Sequence, residues 1–268
     1  MFNVKICFSR FALLVCALLI SSVTATATPL TPPKKNRQFY EMRVYRFKNE
    51  AQKTLTETYL RTAALPALNR AGVSPVGVFN EADPKDGFKL YVLIPYRSLD
   101  QMAQVTDKLA TDATYQQAAS AYLNAPYNEP AYDRIESSLL RAFPHWPTLK
   151  VPTTSTPKPA RVYEYRIYQS STEKTGLKKI EMFDTGGEID IFVRLGFNPV
   201  FFSQTIVGGK LPNLAYMTTF DSRESRDAHW KAFGSDPEWK RISALPEYQN
   251  VMTTSETHFL TPTEYSQI

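Results

Sequence analysis

The strongest constraint on the fold of this chain is an internal repeat. Tyr40-Glu41-Met42-Arg43-Val44-Tyr45 returns 123 residues later as Tyr163-Glu164-Tyr165-Arg166-Ile167-Tyr168. Gly72-Val73-Ser74-Pro75-Val76 returns at an offset of 124 as Gly196-Phe197-Asn198-Pro199-Val200. A third block, 90–96 with Ser98, Asp112 and Tyr115, matches 214–220 with Ser222, Asp236 and Trp239. Three collinear matches at a nearly constant offset mark a duplication. A single period of this length implies two domains rather than a solenoid. Residues 38–146 then form one copy and 161–268 the other, joined by the Pro- and Thr-rich stretch 147–160, which reads as an extended, semi-rigid linker.

Local patterning gives each copy the same order of elements. Residues 40–47 and 161–168 alternate aromatic or β-branched side chains with charged ones, the period of a half-buried strand. Leu55, Tyr59, Leu60, Ala64, Leu65 and Leu68 make a helical stripe over 54–70 that stops before Gly72. Further strands are expected at 76–79 and 90–94, and at 200–207 and 214–220, with turns at 83–87 and at Gly208-Gly209. Ser98 with Gln101 resembles a capping box ahead of a second helix, and Asp236-Pro237-Glu238 opens a short one. Residues 134–141 and 255–260 complete the copies. Strand, helix, strand, strand, helix, strand is the ferredoxin-like plan. The expected fold class is therefore α+β, with two tandem ferredoxin-like domains. Each has an antiparallel sheet with helices on one face, and the bare faces pack together as an intramolecular pseudo-dimer.

The first 27 residues stand apart. Lys5 and Arg10 precede the apolar run 11–23, and Ala25-Thr26-Ala27 follows. This is the pattern of a secretory signal peptide cleaved after Ala27; the run is shorter than the roughly 20 residues that span a bilayer, which argues against a retained anchor. The expected localisation is periplasmic or secreted, with no transmembrane anchor after cleavage. Both cysteines, Cys7 and Cys16, lie in this segment, so the mature chain forms no disulfide or thiolate metal site. Without Lys5 and Arg10 the chain carries 29 basic and 26 acidic residues. With no basic stripe beside it, that balance makes no case for nucleic acid as a partner.

Tyr163-Glu164-Tyr165-Arg166-Ile167-Tyr168, Gly186-Gly187-Glu188-Ile189, Asp236-Pro237-Glu238-Trp239-Lys240 and the ending 260–268 resemble the NIPSNAP domain, a branch of the dimeric α+β barrel superfamily. The resemblance covers nearly all of 161–268. Residues 38–143 keep Tyr-Glu-x-Arg-x-Tyr and the Gly72 turn. They have Asp112-Ala113-Thr114-Tyr115 in place of Asp-Pro-Glu-Trp and no Gly-Gly near Thr62, so the first copy is the more divergent. The resemblance implies the barrel fold and supplies no agreed activity; the superfamily includes monooxygenases and haem-handling proteins, an analogy at the level of fold.

Residues able to carry chemistry are few. The strand motif sets Glu41, Arg43 and Tyr45 on one face and Glu164, Arg166 and Tyr168 on its equivalent. If that face lines the barrel, two Glu and two Arg meet inside, either as a polar pocket with an acid or base or as an ion-paired cluster that fixes register. Gly186-Gly187 beside Glu188 either lets a ligand approach the backbone or breaks a helix for packing. His229, next to Trp230, is the histidine placed nearest a pocket. The aromatic residues Trp230, Phe233 and Trp239 read as core filling.

His145 and His258 form no spaced pair, so no metal is expected. No nucleotide loop, dinucleotide fingerprint or hydrolase elbow is present, and no cofactor is expected. The candidate pocket is thus Glu164, Arg166, Gly186, Gly187, Glu188, Tyr216 and His229. The expected function is a small-ligand-binding or interaction module, with homo-oligomers allowed. The alternative is a small-molecule oxidoreductase of monooxygenase type using the same pocket.

Overall fold

The computed structural model describes residues 36–84 and 87–268, so the expected signal segment lies outside the described residues. Residues 35–268 form one unit. In the first repeat the strands are β1 (Phe39–Phe47), β2 (Gly77–Glu81), β3 (Phe88–Tyr96) and β4 (Arg134–Ala142). In the second they are β5 (Val162–Gln169), β6 (Asn198–Val207), β7 (Asn213–Phe220) and β8 (Thr254–Pro262). Helices α1 (Glu50–Tyr59) and α2 (Leu65–Arg70) run together through a π-helical turn at Leu60–Ala64. They are followed, after β3, by α3 (Leu99–Thr111), α4 (Ala113–Ala118) and α5 (Ser120–Leu123). The second repeat has α6 (Glu173–Asp184), α7 (Glu188–Arg194), α8 (Arg223–Ser235) and α9 (Pro237–Ser243).

The α+β class holds, but the expected division into two tandem ferredoxin-like domains does not. All eight strands form one closed antiparallel barrel in the order β1-β3-β2-β8-β5-β7-β6-β4. Each repeat taken alone would have two unpaired edges, β2 and β4 in the first and β8 and β6 in the second. An edge exposes a row of unpaired N–H and C=O groups, and closure removes it. Here β2 pairs with β8 over Phe79↔Pro262 to Glu81↔Leu260, and β4 pairs with β6 over Leu139↔Val207 to Ala142↔Ser203. Backbone hydrogen bonds therefore cross both seams, and neither repeat has a sheet of its own.

Eight strands leave an interior just wide enough for side chains. Tyr40, Met42, Phe79, Tyr91, Leu93, Leu140, Tyr163, Tyr165, Phe201, Met217 and Leu260 fill it. The helices pack outside and make two further cores. One lies around Tyr45, Leu60, Leu65, Val92 and Tyr115, the other around Phe183, Phe192, Phe202, Tyr216 and Phe233. Since Tyr40, Met42, Tyr163 and Tyr165 point inward, strand alternation sends Glu41, Arg43, Glu164 and Arg166 outward beneath the helices. The two Glu–Arg sets do not meet inside the barrel. They lie in separate interlayers, one for each repeat.

Candidate functional site

The interlayer of the second repeat concentrates buried charge. Glu164 on β5 has no solvent exposure. It accepts hydrogen bonds from Arg166 Nη1 (2.7 Å), from Arg226 Nε and Nη2 (3.0 and 2.6 Å) and from Trp230 Nε1 (2.7 Å). Arg226 and Trp230 are four residues apart on α8, so one helical face delivers both to the carboxylate. Burial alone would raise the Glu164 pKa; the hydrogen bonds from Arg226 and Trp230 and the charge of Arg166 outweigh it and hold the carboxyl below its ordinary value.

Arg166 continues the network. Its guanidinium lies 4.7 Å from the centre of the Trp230 ring and 5.3 Å from that of Tyr168. Its Nε is buried without a hydrogen-bond partner. Beyond it the Tyr168 and Tyr216 hydroxyls share a 2.8 Å hydrogen bond. Burial raises the pKa of both, so they remain neutral donors and acceptors.

Glu188 and Lys179 close the far end. Both are buried, and Lys179 Nζ lies 2.9 Å from Glu188 Oε2. The ammonium faces the rings of Phe183 (4.6 Å), Tyr168 (5.6 Å) and Trp239 (5.7 Å). Burial raises the Glu188 pKa despite the opposing pull of Lys179 and of Arg166. An acidic group pushed upward beside a basic one, with two neutral phenols nearby, is able to hold or pass a proton.

Gly186 and Gly187 end α6 and start α7. Gly187 adopts φ +101°, and a Cβ on Gly186 would meet the Met182 carbonyl oxygen at 2.7 Å and the Tyr248 hydroxyl at 2.9 Å. The break is tightly packed, and it sets Glu188 at the first position of α7, facing Lys179.

Of the expected residues, the structure brings Glu164, Arg166, Tyr216 and Glu188 into one network, with the glycines at its border. His229 is not part of it. Its Nδ1 lies 2.6 Å from the Ser225 carbonyl, its ring packs on Phe197 and Phe220, and it lines a separate polar cavity of about 280 Å³ with Asn198 and Asp221. Sequence reasoning missed Lys179 and Arg226 and took Trp230 and Trp239 for core. A usable signal existed for Lys179, which shares the buried face of α6 with Gly176, Met182 and Phe183. A lysine on an apolar stripe is there for a partner. Among the described residues no group of three or more His, Cys, Asp or Glu is arranged to hold a metal ion, and no helix is long and apolar enough to cross a membrane.

A closed barrel of two βαββαβ repeats, with the denser network of buried charge under the helices of the second, defines an α+β barrel protein. The NIPSNAP family model matches residues 40–147 and 163–267, and the chain belongs to that family. No curated protein matches it. Among solved structures, a candidate monooxygenase from Fusobacterium nucleatum is 9% identical, with a TM-score of 0.53, covering 84% of this chain and 92% of that one. Another, from Lactobacillus acidophilus, is 8% identical with a TM-score of 0.53, covering 84% and 94%. A NIPSNAP family protein from Agrobacterium tumefaciens is 21% identical with a TM-score of 0.36, covering 45% of this chain and 98% of its own. At these identities the likeness to the first two establishes the fold alone.

Proposed function

We propose that the protein binds a small molecule bearing an anionic group in the interlayer of its second repeat, with Arg166 as the anion's partner and Lys179, Glu188, Tyr168 and Tyr216 around the rest. The observation that carries this reading is a buried Lys–Glu pair between α6 and α7 that has no counterpart at the matching positions of the first repeat. At the positions equivalent to Lys179 and Glu188, the first repeat has Thr56 and Ala64. Taking two charges out of water costs several kcal/mol each, of order, and their attraction repays it only with good geometry. Packing does not require the pair, so it serves the site. The unpartnered Nε of Arg166 supplies a donor still to be satisfied.

Native mass spectrometry of the protein purified from its own source tests the proposal. The expected result is a non-covalent mass above that of the denatured chain, lost in Arg166→Lys and in Glu188→Gln. A bare polypeptide mass, together with no thermal shift on adding small carboxylates, would overturn it.

The second reading places small-molecule oxidoreductase chemistry of monooxygenase type in the same interlayer. It is supported by the likeness to the two candidate monooxygenases, which extends over 84% of the chain. Oxygen uptake in the presence of the ligand found by mass spectrometry separates the two readings. We further infer export to the periplasm or the medium, supported by the charge and apolar pattern of residues 1–27. The test is the intact mass of the purified chain, which is expected to begin at Thr28.

A further inference from the structure

The first repeat carries a groove that the proposed function leaves unused. It has a volume of about 890 Å³ and lies open between the N-terminal turn of α1 and the loop joining α5 to β4. That is within the range of roughly 300–1,000 Å³ typical of small-molecule sites. The loop turns at Pro126–Glu129, closed by a hydrogen bond from the Glu129 N–H to the Pro126 carbonyl (2.9 Å), with Tyr127 and Asn128 at the tip. The base of the loop is anchored. Thr56 Oγ1 donates to the Ala131 carbonyl (2.7 Å), the Asp133 N–H donates to the Arg46 carbonyl (2.8 Å), and Lys48 pairs with Asp133 (3.0 Å). The groove is therefore preformed.

Its lining combines aromatic faces with uncommitted polar groups. Tyr122 stacks on Tyr59 at 3.7 Å and 5°, which fixes the floor from beneath. Tyr127 is fully exposed, at 102% of its reference area, and touches no other ring among the described residues. A tyrosine held at the tip of a tethered turn with both faces in water has no packing role. The Asn128 amide and the Glu129 carboxylate lie beside it with no protein partner among the described residues, and the Gln52 side chain commits its oxygen to the Lys48 N–H. Lys48 and Arg134 balance Glu129 and Asp133, so the lining has no net charge.

We propose that this groove binds a neutral oligosaccharide. Sugar rings present flat C–H faces that pack on tyrosine, and a rim of hydroxyls that exchange hydrogen bonds with amides and carboxylates. Balanced charge gives no field to draw a phosphate, a nucleic acid or an anionic membrane. A purely apolar ligand would leave the amides and carboxylates desolvated and unpaired. An open groove, unlike a closed pocket, accommodates a chain of rings. The site is distinct from the interlayer of the second repeat, and either stands without the other.

Isothermal titration calorimetry of the full chain against the hexasaccharides of α-1,4-glucose, β-1,4-glucose, β-1,4-xylose and β-1,4-N-acetylglucosamine is the test. At least one is expected to bind with a micromolar to millimolar dissociation constant. Tyr127→Ala should weaken that binding by about tenfold or more, as expected for an aromatic anchor, and Asn128→Ala by several-fold. Both side chains are exposed at a turn tip, so neither variant should change the thermal midpoint. Heats absent for all four sugars, wild-type affinity in Tyr127→Ala, or binding confined to a charged saccharide such as a heparin hexamer would each overturn the proposal.

Discussion

The two interlayers occupy matching positions in one barrel and are filled with opposite materials. In the first repeat Glu41 accepts from Arg43 Nε and Nη2, with Ser137 and Tyr96 beside it, and the space beyond is taken by Tyr45, Tyr59, Tyr115 and Tyr122. In the second, Arg226 and Trp230 stand where the first has Met102 and Thr106, and the Lys179–Glu188 pair stands where it has Thr56 and Ala64. What the repeats share is framework. Arg70 reaches Asp112 and Arg194 reaches Asp236, each joining the end of one helix to the cap of another. The first repeat shows that a helical layer closes over the motif glutamate without an ion pair at the Lys179–Glu188 positions or a second arginine, so those charges in the second repeat report on something other than folding.

The sharpest way to break this comparison is to remove one member of the buried pair. Lys179→Met alone should cost about 3–5 kcal/mol in urea unfolding, because it strands a buried carboxylate, whereas Lys179→Met with Glu188→Leu should come back to within about 1 kcal/mol of wild type or exceed it. If the single and double variants were equally unstable, the pair would be a packing element after all.

Next in size are the motif glutamates. Glu164→Gln should cost about 2–3 kcal/mol and Glu41→Gln about 1–2, since Glu164 receives two arginines and an indole. Glu164 also predicts a pH dependence. Its folded pKa is depressed, so its contribution is present above the ordinary carboxylate value and is lost as pH falls through the lower folded value. The wild type should therefore lose more stability than Glu164→Gln in acid, as followed by thermal unfolding.

The glycine break comes third. Gly187→Ala, at φ +101°, should cost about 1–2 kcal/mol, while Thr62→Ala in the continuous helix of the first repeat should be neutral or slightly stabilising. The smallest effects belong to the shared brace. Arg70→Ala and Arg194→Ala should each cost less than about 1 kcal/mol, and by similar amounts, because both arginines are about half exposed.

Much of this architecture is legible in the residues. Alternation in the Tyr-Glu-x-Arg-x-Tyr motif marks β1 and β5. Ser98 and Asp236 do cap α3 and α9, and Ser98 accepts from the Gln101 N–H as its spacing suggests. Alternation separates the two faces of a strand but not inside from outside. In this barrel the narrow interior takes Tyr40, Tyr163 and Phe201, and the charges go to the helical side. The barrel came only with the family resemblance, and the strand-to-strand seams that close it were illegible in the residues for a related reason. Edge pairing between β2 and β8 is made of backbone hydrogen bonds, which no side-chain pattern encodes, and the pairing extends over only three residues. The network around Glu164 was half legible. Strand residues Glu164 and Arg166 announce themselves by repetition, whereas Arg226 and Lys179 have no counterpart in the first repeat.

The seams carry a consequence for heredity. Had two identical chains closed this barrel, every codon change would appear in both halves at once, and a charge introduced for one site would burden its twin. Because β4 leads by continuous chain to β5 and the strands pair across both joins, each half is written separately and mutates alone. One half can therefore hold tyrosines where the other holds the Lys179–Glu188 pair and Arg226.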